Sequence, residues 1–318
     1  MNSVLTIGLS PTFQKQIVFS SFKENEVNRS NIHRQVCSGK AINVSRVLRD
    51  LGYQSVNITQ LGGPRVEEFL SLCKAESINV KHILVDSEIR TCVTIINEEK
   101  NTSTELVEEA QKVDEGASDR LYKLFLQEID NHSAVVISGT KAEGFSSTLF
   151  PSIIEKCNEK GILTVLDIKG EDLKASLKAR PSIIKPNLCE FCFTFGLGNN
   201  ILENNTNDEM KKKVEEITRD IYSKYGTKSV ITRGKYDTWV YDGNSFFSVQ
   251  NKPIKVFNTI GCGDTLTGAL TYSILEGKTL KDAVAFGMKC AQKKATHLSH
   301  GLKWGKDGVL CWLWYRYN

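Results

Sequence analysis

The chain has 318 residues, which at about 100–200 residues per domain allows two ordinary domains or one large α/β domain with an appendage. Its 40% hydrophobic and 25% charged residues match a globular average and exclude collagen-like, low-complexity and largely disordered chains. The formal charge is +4, and 41 basic residues are interspersed with 37 acidic ones, so nothing argues for a nucleic-acid or anionic-membrane partner.

The N-terminus has an apolar run, Val4 to Ile7, with no basic segment before it. It reads as a first strand, not a signal peptide. Ala41 to Leu51 places apolar residues at 41, 42, 44, 47, 48 and 51, a helical stripe stopped by Gly52. Strands are then expected at Val56 to Leu61, Ala134 to Gly139, Leu163 to Asp167, Ser182 to Lys185 and Ser229 to Thr232. Helices are expected at Phe150 to Lys160, Met210 to Tyr225, Thr265 to Leu275 and Leu280 to Leu298. Such alternation predicts an α/β fold with a mainly parallel sheet flanked by helices on both faces. Phe13 to Arg34 and Ile89 to Leu106 break the alternation with β-like patterns. They fit either edge strands of the main sheet or, the reading preferred here, a small separate sheet covering one end of it.

No apolar run approaches the ~18 residues of a membrane span. Nine cysteines at irregular spacing, mostly in apolar runs, predict reduced buried thiols and a cytoplasmic protein. Cys189 and Cys192 form one C-x-x-C without a second pair, so they read as packed helix residues and not as zinc ligands.

The segment from Gly261 through Cys262, Gly263 and Asp264 leads straight into an apolar helical stripe. Free N–H groups and the helix dipole make such a turn an anion site. An aspartate there repels a bound anion, but it has a purpose if a hydroxyl must lose its proton while attacking a phosphoryl group. Taken alone, Asp264 reads equally as an ordinary first-turn acidic residue. Gly39, Lys40 and Asn43 place a glycine turn, a cation and an amide at another helix mouth; Ala41 follows the lysine, so this is no Walker A loop.

The order of these and other short motifs resembles the PfkB, or ribokinase-like, carbohydrate kinase family, and within it the hexose-phosphate kinases. The resemblance rests on Gly39, Lys40 and Asn43 with Gly52 and Gly62; on Ser138-Gly139; on Asp167 to Gly170; on Lys185-Pro186-Asn187 with Glu190; on Thr232 to Gly234; and on Gly261 to Asp264. Glu26 to Arg29, Ile89 to Thr91 and Thr104-Glu105 match in the covering segments. It runs from about residue 4 to about 298.

The resemblance implies a single ribokinase-like domain over residues 1–318, with lid segments at about 10–36 and 88–107. It implies ATP- and Mg²⁺-dependent phosphotransfer to a phosphorylated ketohexose, of the 1-phosphofructokinase or tagatose-6-phosphate kinase type. Asp264 would be the general base, and the amides of Gly261, Cys262 and Gly263 the anion hole. Lys185, Thr232 and Gly234 would lie along the ATP phosphates, and Asn187 and Glu190 would organise Mg²⁺ through water. Gly39, Lys40 and Asn43 would face the sugar, and Arg90 would grip its phosphate. Gln14 stands where the family has a sugar-binding aspartate, Ser10 replaces an asparagine, and Ser38 replaces a glycine. A homodimer is expected by resemblance only. Two other readings stay open: a kinase of an unphosphorylated sugar or nucleoside, and a non-catalytic sugar-phosphate binder. The tail from Gly301 to Asn318 holds three of the four tryptophans and departs from the family pattern; it fits either packing on the main domain or self-association.

Overall fold

The computed structural model describes residues 3–198, 201–204, 207–256 and 258–296; the tryptophan-rich tail and the expected end of the last helix at Leu298 lie outside the described residues. In chain order the elements begin with β1 (Ser3–Ile7), β2 (Thr12–Phe19), β3 (Ile32–Ser38), α1 (Lys40–Asp50), β4 (Gln54–Gly62), α2 (Val66–Ala75) and β5 (Asn79–Val85). There follow β6 (Arg90–Asn97), β7 (Thr102–Val107), α3 (Ala117–Glu128), β8 (Ala134–Ser138), α4 (Leu149–Glu159), β9 (Leu163–Asp167), α5 (Gly170–Leu177) and β10 (Ile183–Ile184). The chain continues with α6 (Leu188–Phe195), α7 (Asp208–Tyr225), β11 (Lys228–Ile231), β12 (Thr238–Tyr241), β13 (Phe246–Val249), α8 (Cys262–Leu275) and α9 (Leu280–Ala295).

Nine strands form one sheet in the order β13-β12-β11-β10-β9-β8-β1-β4-β5. From β11 to β5 every pairing is parallel; only the β12 and β13 pairings at one edge are antiparallel. The alternation of side chains along each strand divides the core. On β8, Val135 and Ile137 pack with Leu121, Phe125, Phe150 and Phe191 from α3, α4 and α6. Ala134 and Val136 pack on the opposite face with Val44, Leu48, Leu266, Leu270 and Val284 from α1, α8 and α9. Both faces of the strand are therefore dry, which explains its unbroken apolar run. Each fully buried Val, Leu, Ile or Phe contributes roughly 1.5–3 kcal/mol relative to exposure.

The covering segments form a separate four-stranded sheet, β3-β2-β6-β7, and do not extend the edge of the main one. Thr12 is in register with both Ser38 and Arg90, so three strand ends meet on one side of this sheet. That side is anchored by Phe13, Cys37 and Ile89, which pack with Ile42, Leu61, Phe69 and Cys73. The Phe13 and Phe69 rings meet edge-on at 5.5 Å, and the Arg65 guanidinium lies 3.8 Å from the centre of the Phe13 ring. Gly62 sits at the seam. A Cβ there would stand 2.2 Å from Val85 O and 2.3 Å from Ser87 O, so the close backbone approach admits only glycine.

Candidate active site

The carboxyl ends of the parallel strands open on a cleft beneath the second sheet, the place where open α/β sheets carry their ligands. A cavity of about 140 Å³ is lined there by Ser10, Gly39, Lys40, Thr59, Arg90, Ser138, Gly139, Asp167, Lys169 and Glu190, among others. Gly39, at φ 128°, turns the chain from β3 into α1 and sets Lys40 at the helix mouth. Of the residues expected to meet the sugar, Gly39, Lys40 and Arg90 line this cavity.

Gln14 and Asn43 do not line it, and neither do Asp264, Gly261, Cys262 and Gly263, nor Lys185, Asn187 and Thr232. Gln14 is buried in the second sheet, where its Nε2 donates to Thr94 Oγ1 at 2.8 Å. Asn43 is buried one turn into α1, where its Nδ2 donates to Asp264 Oδ2 at 2.7 Å and its Oδ1 accepts from Arg46 Nη1 at 2.6 Å. Asn43, expected to face the sugar, is thus joined to Asp264, 221 residues away in sequence.

Asp264 lies in the first turn of α8, only 6% exposed. Gly261 starts the helix from the left-handed region at φ 79°, and no side chain caps it. The Cys262 N–H is donated to Thr259 O at 3.1 Å, so one of the three amides expected in the anion hole has a partner. The Cys262 thiol points to α9, donating to Ala291 O at 3.5 Å. Lys294 of α9 reaches this turn from behind. Its Cε is 3.9 Å from where a Gly261 Cβ would stand, and its ammonium is buried with no hydrogen-bond partner among the described residues. Burial lowers the pKa of Lys294, and the charges of Cys262 and Asp264 oppose that shift. Lys185 Nζ flanks the same turn, 3.9 Å from the position of a Gly263 Cβ. A helix N-terminus with two ammonium groups around it is an anion site by charge and by geometry.

Three carboxylates share the neighbourhood, and their surroundings separate them. Asp167, at the end of β9, pairs with Lys185 at 3.2 Å and Lys40 at 3.7 Å, and accepts from Thr267 Oγ1 at 3.0 Å. Burial works against its charge, but the two lysines outweigh burial and hold its carboxyl below the usual range. Glu190 accepts from Lys40 at 3.3 Å and from the Asn187 N–H at 3.0 Å. Asn187 Oδ1 in turn accepts from the Glu190 N–H at 2.7 Å, completing a capping box on α6. Asp264 has no cationic nitrogen within 4.0 Å among the described residues. Burial pushes its pKa up to about 6; the charge of Asp167 adds to that, while Lys40, Lys185 and the Asn43 hydrogen bond oppose it. Lys40 is held above its ordinary value, chiefly by Asp167.

Arg90 donates through Nη1 to Glu108 O at 2.7 Å, while its Nε is buried without a partner among the described residues. The hydroxyls of Ser10 and Ser138 are likewise buried and unpartnered. All three residues line the cavity, with these polar atoms themselves buried at its wall. Thr232 follows β11 and bridges to Asn187, with Leu188 N–H donating to its carbonyl at 2.9 Å. Gly234 is exposed and sits against the Glu203 carboxylate, outside the cavity lining. Cys189 and Cys192 lie on α6, and the described residues contain no group of three or more His, Cys, Asp or Glu that could hold a metal.

Sequence reasoning passed over Asp167, Lys169, Ser10 and Ser138 as site residues. Their shared signal is position: each of Ser10, Ser138 and Asp167 stands at or just after the carboxyl end of a strand. Lys294 gave no local signal, because it occupies a core position of an amphipathic helix.

Residues 1–304 match the pfkB family of carbohydrate kinases. The chain belongs to that family. It is a carbohydrate kinase with the ribokinase-like fold. Escherichia coli phosphofructokinase-2, solved in complex with potassium, superposes with a TM-score of 0.83 at 21% identity, covering 95% of each chain. A possible 1-phosphofructokinase from Thermotoga maritima gives 0.82 at 20% identity, covering 99% of this chain and 98% of that one. A candidate ribokinase from Agrobacterium tumefaciens gives 0.73 at 14% identity, covering 94% and 92%. No helix among the described residues is long and apolar enough to cross a membrane.

Proposed function

We propose that this kinase transfers the γ-phosphoryl group of ATP, with Mg²⁺, to a hydroxyl of a phosphorylated ketohexose, and that Asp264 is the general base. One observation carries the reading: the single carboxylate of the cluster without a cation at ion-pair distance stands on the N-terminal turn of α8, beside amides and ammonium groups that suit a phosphoryl oxygen. A carboxylate poised near pH 6 takes a proton from an attacking hydroxyl and gives it up again at neutral pH.

Gly261 and Gly263 present backbone N–H groups to the transferring phosphoryl group, with Lys185 and Lys294 adding positive charge around the turn. Lys185 and Thr232 lie along the nucleotide phosphates, and Gly234 extends that edge. The donors of Asn187 and Glu190 suit Mg²⁺: both are hard oxygens, Glu190 lines the cavity, and each carboxylate oxygen keeps a lone pair for a metal-bound water. When bound, the ion neutralises charge on the β- and γ-phosphoryl oxygens. Lys40 and Gly39 border the sugar, and Ser10 and Ser138 offer unpartnered hydroxyls to its own.

Arg90, which lines the cavity, supports a phosphate on the acceptor, since a guanidinium fork suits a phosphate dianion. Fructose 1-phosphate and tagatose 6-phosphate are the acceptors proposed, and the similar Escherichia coli phosphofructokinase-2 was also solved with fructose-6-phosphate. The second sheet acts as a lid, excluding water from the cleft. It exposes Ile32, Leu106 and Val107, with Val27 exposed on the connection between β2 and β3, which suits a homodimer formed through that sheet; phosphofructokinase-2 itself has a tetrameric inhibited form. The free cysteines fit a cytoplasmic location.

The test is ADP release by purified protein with ATP and Mg²⁺ against a panel of phosphorylated and free sugars. Turnover confined to phosphorylated ketohexoses supports the reading. A preference for free sugars or nucleosides, or binding without turnover, overturns it.

A further inference from the structure

One charged side chain near the base has no part in the chemistry described so far. Arg46 is 2% exposed and lies one turn beyond Asn43 on α1. All three of its nitrogens are engaged. Nε donates to Glu76 Oε2 at 2.5 Å, Nη1 to Asn43 Oδ1 at 2.6 Å, and Nη2 to Cys37 O at 2.8 Å. An arginine buried this completely costs stability unless its bonds are well made.

The amide of Asn43 has a donor end and an acceptor end, and either could meet Asp264. Arginine only donates, so the atom facing Nη1 must be Oδ1. Ser38 Oγ donates to the same oxygen at 3.3 Å. The other end, Nδ2, is thereby turned to Asp264 Oδ2 at 2.7 Å. If Arg46 did not hold the oxygen, the amide could rotate and point a lone pair at the carboxylate.

We propose that Arg46 is a positioning residue for the base: anchored by Glu76 at the end of α2, it fixes the Asn43 amide so that a donor always faces Asp264. The inference rests on the reading of Asp264 as the base. The other charged groups around that carboxylate are Lys40 on α1, Asp167 on β9, Lys185 after β10 and Lys294 on α9, with the Cys262 thiol on its own helix. None of them shares Arg46's bonds to Glu76 and Cys37; Arg46 also repels the Lys294 ammonium, so its loss strengthens that cation beside Asp264 and acts against the upward shift expected from releasing Asn43.

The experiment compares Arg46→Met, Arg46→Lys and Glu76→Gln with the unmodified enzyme, reading kcat and KM from pH 5 to 9. Arg46→Met is expected to lower kcat roughly tenfold or more with both KM values within about threefold. Its acid limb should move to higher pH by about one unit, because the carboxylate loses a steady donor. Arg46→Lys reaches fewer acceptors and should fall between, and Glu76→Gln should shift the limb in the same direction by less. If Arg46→Met does not fold, the other two variants decide. A loss of activity with the acid limb unmoved means a merely structural role and overturns the proposal. Asp264→Asn separates the two failures. If it stays active, the base reading is wrong; if it is inactive while the Arg46 and Glu76 variants titrate like the parent, only the positioning role falls.

Discussion

Replacing Asp264 with asparagine should make the protein more stable and nearly inactive. The carboxylate is buried and held by one amide, and its pKa stands at about 6 against an ordinary 3.8. The native state therefore binds the proton more tightly than the unfolded chain does. Below pH 3.8 both states are protonated and the group is neutral to stability. As pH rises from 3.8 through about 6, the unfolded chain ionises first and stability is lost. At roughly 1.36 kcal/mol per pH unit, the loss at pH 8 is about 3 kcal/mol. The substituted amide carries no charge to desolvate and can still accept from Asn43. For a chain of 318 residues, with unfolding entropy of roughly 2.1 cal/mol/K per residue, about 3 kcal/mol corresponds to a Tm rise of about 4 °C.

Scanning calorimetry at pH 8 and pH 4 reads this directly: the variant should melt about 4 °C higher at pH 8 and within about 1 °C of the parent at pH 4. In the same preparation kcat should fall by roughly 10²–10⁴ with substrate binding kept. The parent's kcat should fall with a single-proton slope below about pH 6. An unchanged kcat would remove Asp264 as the base. An equal or lower Tm at pH 8 would refute the claim that the fold holds this carboxylate under strain.

Arg90→Ala should raise KM for a phosphorylated ketohexose by about 10- to 100-fold, the size of one or two charge-assisted hydrogen bonds, and leave free-sugar kinetics unaltered; steady-state ADP release on both substrates checks it. Lys185→Met removes a buried partner of Asp167, each side chain being 3% exposed, and should cost about 3–5 kcal/mol, read as a lowered urea midpoint. Gly62→Ala drives a methyl group into Val85 O and Ser87 O, and should either destabilise by more than about 2 kcal/mol in the same urea titration or leave the protein insoluble.

Local chemistry was legible in the sequence; long-range pairing was not. The mouths of α1 and α8 could be read because glycines, a cation and an acid sit within a few residues of each helix start. Asn187 and Glu190 enter by resemblance as Mg²⁺ organisers, whereas the structure shows them closing a capping box on α6. The Asn43–Asp264 contact is not legible, because the two residues are 221 apart and nothing around position 43 encodes it. Gln14 stands where the family pattern has a substrate ligand, yet the alternation of β2 carries its amide into the second sheet, onto Thr94. Lys294 and Arg46 were invisible for a third reason. Both lie on buried helix faces, where pattern reasoning expects an apolar residue or a stem reaching outward to solvent.

The division of labour among the three carboxylates follows from where the lysines stand. At an effective dielectric of 20, a unit charge at 4 Å is worth about 4 kcal/mol, enough to decide which acid keeps its proton. Lys185 is buried and fixed on Asp167 at 3.2 Å, so that acid stays ionised and takes no proton. Lys40 is 40% exposed and divides itself between Asp167 at 3.7 Å and Glu190 at 3.3 Å, the two longest of the three contacts. It is therefore the lysine that can change partners. An incoming phosphate can draw Lys40 toward itself while Lys185 keeps Asp167 neutralised and Asn187 keeps Glu190 in its capping box. Asp264 keeps its Asn43 hydrogen bond through that exchange, but it loses the charge of Lys40 that opposes its upward shift, so the exchange makes it the stronger proton acceptor. If Asp264 is the base, as proposed, it is selected by the absence of a counter-ion within ion-pair distance as much as by its place on the helix.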